Sequence, residues 1–219
     1  MDPEIPYHMI ALYMALNGLI SCWNAYATGK NWIYTRQAGG FAHLVTWAGY
    51  LMTIAGFSWC LLMAEALIAY YYHWYGFDYR ALTAMINFGF LLIGPVIVLA
   101  GIPIWLDSVA NAVRQRSFSG TMLAGYNTYA QIHNTIEVFS SLGPALDNVT
   151  DFFRSSGSSS SDSDSDSDSS SGVLGVLVLV LVLVAIAGGI VLATAIVSRV
   201  ARNEVSVFAN ELSNRRRRG

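Results

Sequence analysis

The chain has 219 residues, 54% of them hydrophobic and 12% charged, with a formal net charge of -2. A soluble domain carries about 25% charged residues, so a chain with half that density cannot coat a water-facing surface of ordinary polarity. Its near-zero charge makes no overall case for binding nucleic acid. What charge there is clusters, with four Asp in one serine-rich stretch and Arg215, Arg216, Arg217 and Arg218 in another.

Residues 5–26 form the first apolar run, interrupted by Asn17, Gly18, Ser21 and Asn24. About 20 apolar residues cross a bilayer core as a helix, and the Asn and Ser side chains favour a neighbouring helix over lipid. The preceding Met-Asp-Pro-Glu lacks the basic region of a cleavable signal, so this run is expected to remain as a span. Residues 41–72 form the second run. It is uncharged as far as Met63, then holds Glu65, and is followed by Tyr70, Tyr71, Tyr72, Trp74 and Tyr75. Such a cluster is expected at the membrane–water boundary, where the ring is apolar and its tip is wet.

Residues 81–106 form the third run, interrupted by Pro95 and Pro103. A kink is expected near Pro95, because proline removes a backbone donor and clashes with the preceding turn. Residues 107–116 read as a polar helical exit. Beyond them Met122, Tyr126, Tyr129, Ile132, Ile136, Phe139, Leu142, Leu146, Val149 and Phe153 recur every three or four residues, on one helical face. Gly143-Pro144 divides this stretch, predicting two helices or one kinked helix. The polar face has almost no Lys or Arg, which favours protein packing over lying flat on a membrane surface.

Residues 155–172 are Ser, Asp and Gly around a Ser-Asp repeat and are expected to be a disordered spacer. Calcium binding there would lack the spacing of an EF-hand loop. Residues 173–197 are the strongest span. Their Val-Leu alternation looks strand-like, but a lone strand in lipid leaves its backbone unpaired, so helix is expected. Gly188-Gly189 offers a flat patch for a second helix, and the helical period continues to about Asn214.

The expected architecture is therefore an all-α integral membrane protein. It has a three-span domain (1–116), an amphipathic extramembrane segment (117–154), a disordered linker (155–172) and a fourth span with an Arg tail (173–219). Four spans put both termini on one side. The Arg tail favours the inside for them, with 107–172 outside together with the weak sequon Asn148-Val149-Thr150; an odd number of spans would also reconcile the basic counts.

Candidate chemistry is sparse. Glu65, an acidic residue within a run, is a default candidate for an ion or proton pathway, with Asn17 and the Pro95 kink beside it and Arg80 as the alternative structural partner. His8, His43, His73 and His133 show no ligand spacing; His8 and His43 fall on opposite faces under four spans, and His73 lies close to the His8 face, so a His8–His73 pair stays open beside the plain reading of interfacial side chains. Cys22 and Cys60 read as small buried hydrophobes. Asp107 and Arg114 read as solvated anchors. Phosphate-loop, Cys-x-x-Cys, His-Glu-x-x-His and Gly-x-Ser-x-Gly motifs are absent from the sequence. No cofactor or metal is expected, and the chain is not expected to be an enzyme.

The leading expectation is a structural or assembly protein in contact with lipid and with other membrane subunits. Its packing interface would be drawn from Tyr129, Ile136, Phe139, Leu146, Gly188 and Gly189. The four-Arg tail would serve as a topology or lipid-headgroup anchor, and it is the one segment that could meet nucleic acid. A single Lys30 against eleven arginines, with the Ser-Asp repeat, suits a halophilic archaeon or its virus, in a virion membrane or a cell envelope. A pore, holin or transport subunit using Glu65 is the first alternative; a non-catalytic subunit of a membrane redox complex is the second.

Overall fold

The computed structural model describes residues 7–157 and 169–218. Among these the regular structure is helical: α1 (Tyr7–Ala38), α2 (Gly40–Tyr71), a short 3-10 turn (Trp74–Gly76), α3 (Tyr79–Gln115), α4 (Phe118–Gly157) and α5 (Ser169–Arg218). Three helices are long and apolar enough to cross a membrane, namely Gly40–Tyr71, Tyr79–Gln115 and Gly172–Asn210. They are consistent with a multi-pass membrane protein. The first and fourth helices fall short of that standard.

Turn chemistry sets the helix ends. Gly39 and Gly40 both take positive φ (62° and 60°) between α1 and α2, a region open to glycine without the steric cost other residues meet. Asp78 caps α3, its Oδ1 accepting from the Ala81 amide at 2.9 Å. Arg116 ends α3 in the left-handed conformation, and the Ser117 Oγ accepts the Gly120 amide at 3.1 Å to start α4. Pro95, Pro103 and Pro144 all lie inside helices, so α4 is one helix through Gly143-Pro144 rather than two.

Contacts between helices fix a simple alternation. Cys60 Sγ donates to the Met14 carbonyl at 3.6 Å, while Gly56 meets Ser21 and Gly49 meets Thr28, so α1 and α2 are antiparallel. Tyr50 Oη lies 2.6 Å from Thr194 Oγ1, and the Ser58 Oγ donates to the Ile186 carbonyl at 3.4 Å, so α2 and α5 are antiparallel. Ala25 joins Ala193 and Val197 in one buried cluster, and Gly29 lies against Val197 and Val200, so α1 and α5 are parallel. Neighbours in sequence therefore alternate in direction, and the start of α1 and the end of α5 lie at opposite ends of the bundle.

The interior combines a cluster of larger apolar side chains, among them Leu62, Phe77, Met85 and Phe152, with many small and hydroxylic residues. Ala25, Ala55, Ala66, Ala69, Ala81, Ala84, Ala185 and Ala193 are buried, along with Ser21, Thr28, Thr46, Thr53 and Ser58. Some hydroxyls are satisfied within their own helices, as with Ser21 to the Asn17 carbonyl (2.7 Å) and Thr53 to the Gly49 carbonyl (2.8 Å), and others bridge helices, as with Thr46 to Thr35 Oγ1 (2.9 Å). Leu12, Leu16, Leu19, Trp23, Leu99, Leu183 and Val191 face outward. Small residues at helix crossings with large apolar residues outside is the packing of helices in lipid, where close backbone approach replaces the hydrophobic drive. The low hydropathy of α1 reflects Ser21 and Thr28 on its buried face, whereas that of α4 reflects polar residues such as Glu137, Ser140, Asp147 and Asp151 on its exposed face.

Several expectations change here. Residues 155–157 and 169–172 belong to helices, because the Ser-rich flanks continue α4 and begin α5; the Ser-Asp repeat between them lies outside the described residues. α5 runs to Arg218, past the expected end near Asn214. Residues 107–115 continue α3, in keeping with the expected polar helical exit, and α4 returns along α3. The reason is a row of notches on α3. Gly101 lies under the Gln131 side chain and Gly94 under Val138, while Gln131 Nε2 donates to the Val98 carbonyl at 3.1 Å and Trp105 Nε1 to Thr128 Oγ1 at 2.9 Å.

Candidate interface on helix α4

The expected apolar stripe of α4 exists and is turned outward over most of its length, while its far end, at Val149 and Phe153, meets the bundle. Tyr129, Ile136, Phe139 and Leu146 are all exposed, Phe139 at 67% and Ile136 at 63%, and Phe118 reaches 83%. The buried face instead carries Ala124, Val138, Ala145, Val149 and Phe152, with Thr128, Gln131 and Thr135 half-buried. Tyr129 stacks on His133 with ring planes 2° apart. Helical period located the stripe; the glycine notches of α3 chose the opposite face for packing.

The outer face changes character along its length. From Phe118 to Phe139 it is apolar and aromatic; beyond that it carries Ser140, Asp147, Thr150 and Asp151, with Glu137 on its flank, all exposed. The α3–α4 contacts place Glu137 beside the middle of the uncharged stretch 81–106 of α3, and Asp147 about one turn inside its near end. Arg80 Nη2 donating to Ser155 Oγ at 3.3 Å holds the same register at that end. Carboxylates thus lie on the bundle surface at the depth of a candidate span.

Gly188 and Gly189 are used within the chain. A methyl group on Gly189 would sit 2.6 Å from the Ser58 amide nitrogen and 2.8 Å from its Cα, and one on Gly188 would sit 2.7 Å from Leu61 Cδ1. The patch is where α5 seats on α2.

Glu65 and Asn17 are not brought together. Asn17 Nδ2 donates to the Tyr13 carbonyl of its own helix at 3.1 Å. Glu65 follows Ser58, Leu61 and Leu62 on α2, which meet α5 and α3 rather than α1. Its Oε2 is buried without a hydrogen-bond partner, as is Trp59 Nε1. Arg80 donates to Ser155, so it does not take the place of a partner for that oxygen. Asp107 accepts from Asn111 Nδ2 at 2.9 Å.

The histidines are spread out. His43 Nε2 accepts from Trp47 Nε1 at 2.9 Å, His73 lies in the turn beside Tyr70, and His8 is exposed on α1. Among the described residues no three His, Cys, Asp or Glu side chains converge as a metal site. Cys22 and Cys60 are both free thiols, Cys22 exposed rather than buried.

The alternation of helices sorts the charge. One end holds the α1–α2 and α3–α4 turns and the distal half of α5. It carries Lys30, Arg36, Arg114, Arg116, Arg199, Arg202 and residues 215–218, ten of the twelve Lys and Arg. The other end has Arg80 and Arg154, with Asp78 and Asp151. Rings mark both levels: Trp32, Trp47 and Tyr50 touch one another at the basic end, and Tyr71 and Tyr72 do so at the acidic end. From Trp47 to Tyr71 is about 36 Å of helix, close to the roughly 30 Å hydrocarbon thickness plus its borders. Neither ring cluster nor charge asymmetry depends on likeness to other proteins: no known family model matches the chain, and neither a curated protein nor a solved structure matches it.

Proposed function

We propose that this chain is a structural or assembly protein of a membrane that associates with further copies of itself through the outer face of α4. The observation that carries this reading is the exposure of Glu137 and Asp147 beside the span-length helix α3. A carboxylate turned to hydrocarbon near the bilayer centre costs about 2.5–3.5 kcal/mol, so such a face requires cover. The adjoining Tyr129, Ile136 and Phe139 supply the apolar contact a second subunit would pack on. Mass measurement in mild detergent tests it: the wild type should be oligomeric, and Ile136→Asp and Phe139→Asp should each shift it toward monomer. A monomeric wild type, or unchanged oligomer size in both variants, would refute the reading.

In this reading all five helices cross the bilayer, α1 and α4 included, because they lie alongside the other three at the same depth. Five crossings put the two ends of the chain on opposite sides, in place of the same-side arrangement that four would give. The ten-to-two division of Lys and Arg then favours the end of α5 inside and the start of α1 outside. The arginine bias and Ser-Asp repeat favour a halophilic archaeal or viral membrane as the setting.

One observation favours a second reading, a pore or transport subunit. Glu65 Oε2 is a buried oxygen without a partner in a membrane-length helix, the pattern of a group that takes and gives up a proton or cation. Liposomes containing the protein would leak protons, and Glu65→Gln would abolish the leak; tight wild-type liposomes would dismiss it.

A further inference from the structure

Helix α5 does not stop where the bundle does. The Tyr50–Thr194 hydrogen bond and the Trp32, Trp47 and Tyr50 rings mark the basic-end boundary, and Gly29 lies against Val200 nine residues before the end of α1. The helix then continues unbroken to Arg218, and residues 205–210 are exposed. At 1.5 Å per residue, position 215 stands about 24 Å beyond position 199 along the helix axis. A tilt of about 40° would still leave about 18 Å.

That distance decides among partners for the four consecutive arginines. The headgroup zone of one leaflet is about 5–8 Å deep, and screening at physiological salt limits charge attraction to about 8 Å more. A straight arm therefore holds residues 215–218 beyond the lipid surface. The chain's own acidic stretch cannot reach them either. It joins α4 to α5 at the far end, 46 residues or about 69 Å of helix away, and its eleven residues fully extended span about 40 Å. The remaining counter-charge is a polyanion in the inner compartment.

We infer that the distal arm of α5 is a docking site for the phosphate backbone of nucleic acid. Between residues 199 and 218 it carries six arginines, no lysine and two acidic residues. Guanidinium pairs with phosphate through a two-pronged fork that ammonium lacks. Uninterrupted arginines without base-reading side chains among them suit sequence-independent contact. The inference rests on the five-crossing placement proposed above and goes beyond the assembly reading, since it does not need α4 to be an interface.

The test uses the whole protein in zwitterionic nanodiscs and a fluorescent 20-base-pair duplex of arbitrary sequence. Wild type should bind with steep salt dependence. The combined Arg215→Gln, Arg216→Gln, Arg217→Gln and Arg218→Gln variant should flatten the slope of log K against log salt by about 3 to 4, at roughly 0.9 for each phosphate no longer neutralised. A second measurement addresses lipid: maleimide labelling of Ser213→Cys, with both native cysteines replaced, should be equally fast in zwitterionic and anionic discs. Absence of duplex binding, an unchanged slope in the quadruple variant, or strong protection of Ser213→Cys by anionic lipid would each overturn the proposal. The first two outcomes would point to an acidic protein as partner, the last to the membrane surface. Oligomer mass, measured in parallel, reports on the α4 reading separately.

Discussion

Gly189→Ala tests how closely α5 rests on α2. The added methyl would come within 2.6 Å of the Ser58 nitrogen and 2.8 Å of its Cα, against an ordinary contact of about 3.5–4.0 Å. Both atoms are backbone, so no side chain can swing away; the helices must part by about 1 Å, and the Ser58–Ile186 hydrogen bond, already 3.4 Å long, opens with them. Overpacking of this kind costs about 1–3 kcal/mol. Alanine is also a better helix former than glycine by about 1 kcal/mol, which would mask part of the loss. Gly125→Ala supplies the control: a methyl there meets nothing within 4 Å, so it carries the same propensity gain without the clash. The difference between the two variants isolates the steric cost. It should appear as a melting-temperature gap on the order of 5 °C in thermal unfolding followed by circular dichroism in mild detergent. Gly188→Ala, facing only the movable end of Leu61, should fall between them. Equal melting temperatures for Gly189→Ala and Gly125→Ala would show that α2 and α5 are not in backbone contact at this point.

Glu65→Leu should raise thermal stability, by about 1–3 kcal/mol, because it removes a buried polar atom that has no partner; a loss of stability would mean the carboxyl is engaged. In oriented vesicles lacking Cys22 and Cys60, a membrane-impermeant maleimide should label Tyr75→Cys and Ser213→Cys from opposite sides. Labelling of both from one side would rule out five crossings.

Much of the architecture is readable in the residues, for stated reasons. Uncharged runs of span length locate α2, α3 and α5, and the tyrosine cluster after Ala69 marks one end of α2. The pattern on α4 is less complete. Periodicity shows that Ile136 and Phe139 share a face with Tyr129, but it carries no information about what that face meets. In water such a stripe turns inward; beside α3 it turns outward, because Gly94 and Gly101 admit Val138 and Gln131. Those glycines are single residues seven apart in a hydrophobic run and give no sign of their partners. Likewise Ser21 and Thr28 look like blemishes in a weak span until Gly56 and Gly49 are seen opposite them. The ten-to-two split of basic residues is invisible under an even number of crossings, which scatters Lys30, Arg36, Arg114 and Arg116 away from the arginines of α5.

The length of α5 has a mechanical corollary. Fifty residues in one uninterrupted helix make a rod of about 75 Å, anchored against α1 and α2 over its middle and exposed over residues 205–210. A helix resists stretching, so a piston stroke or twist imposed near Ser169 would be delivered almost undiminished to Arg218. Whatever grips the serine-rich end of this rod thereby holds a lever whose other arm carries the arginines.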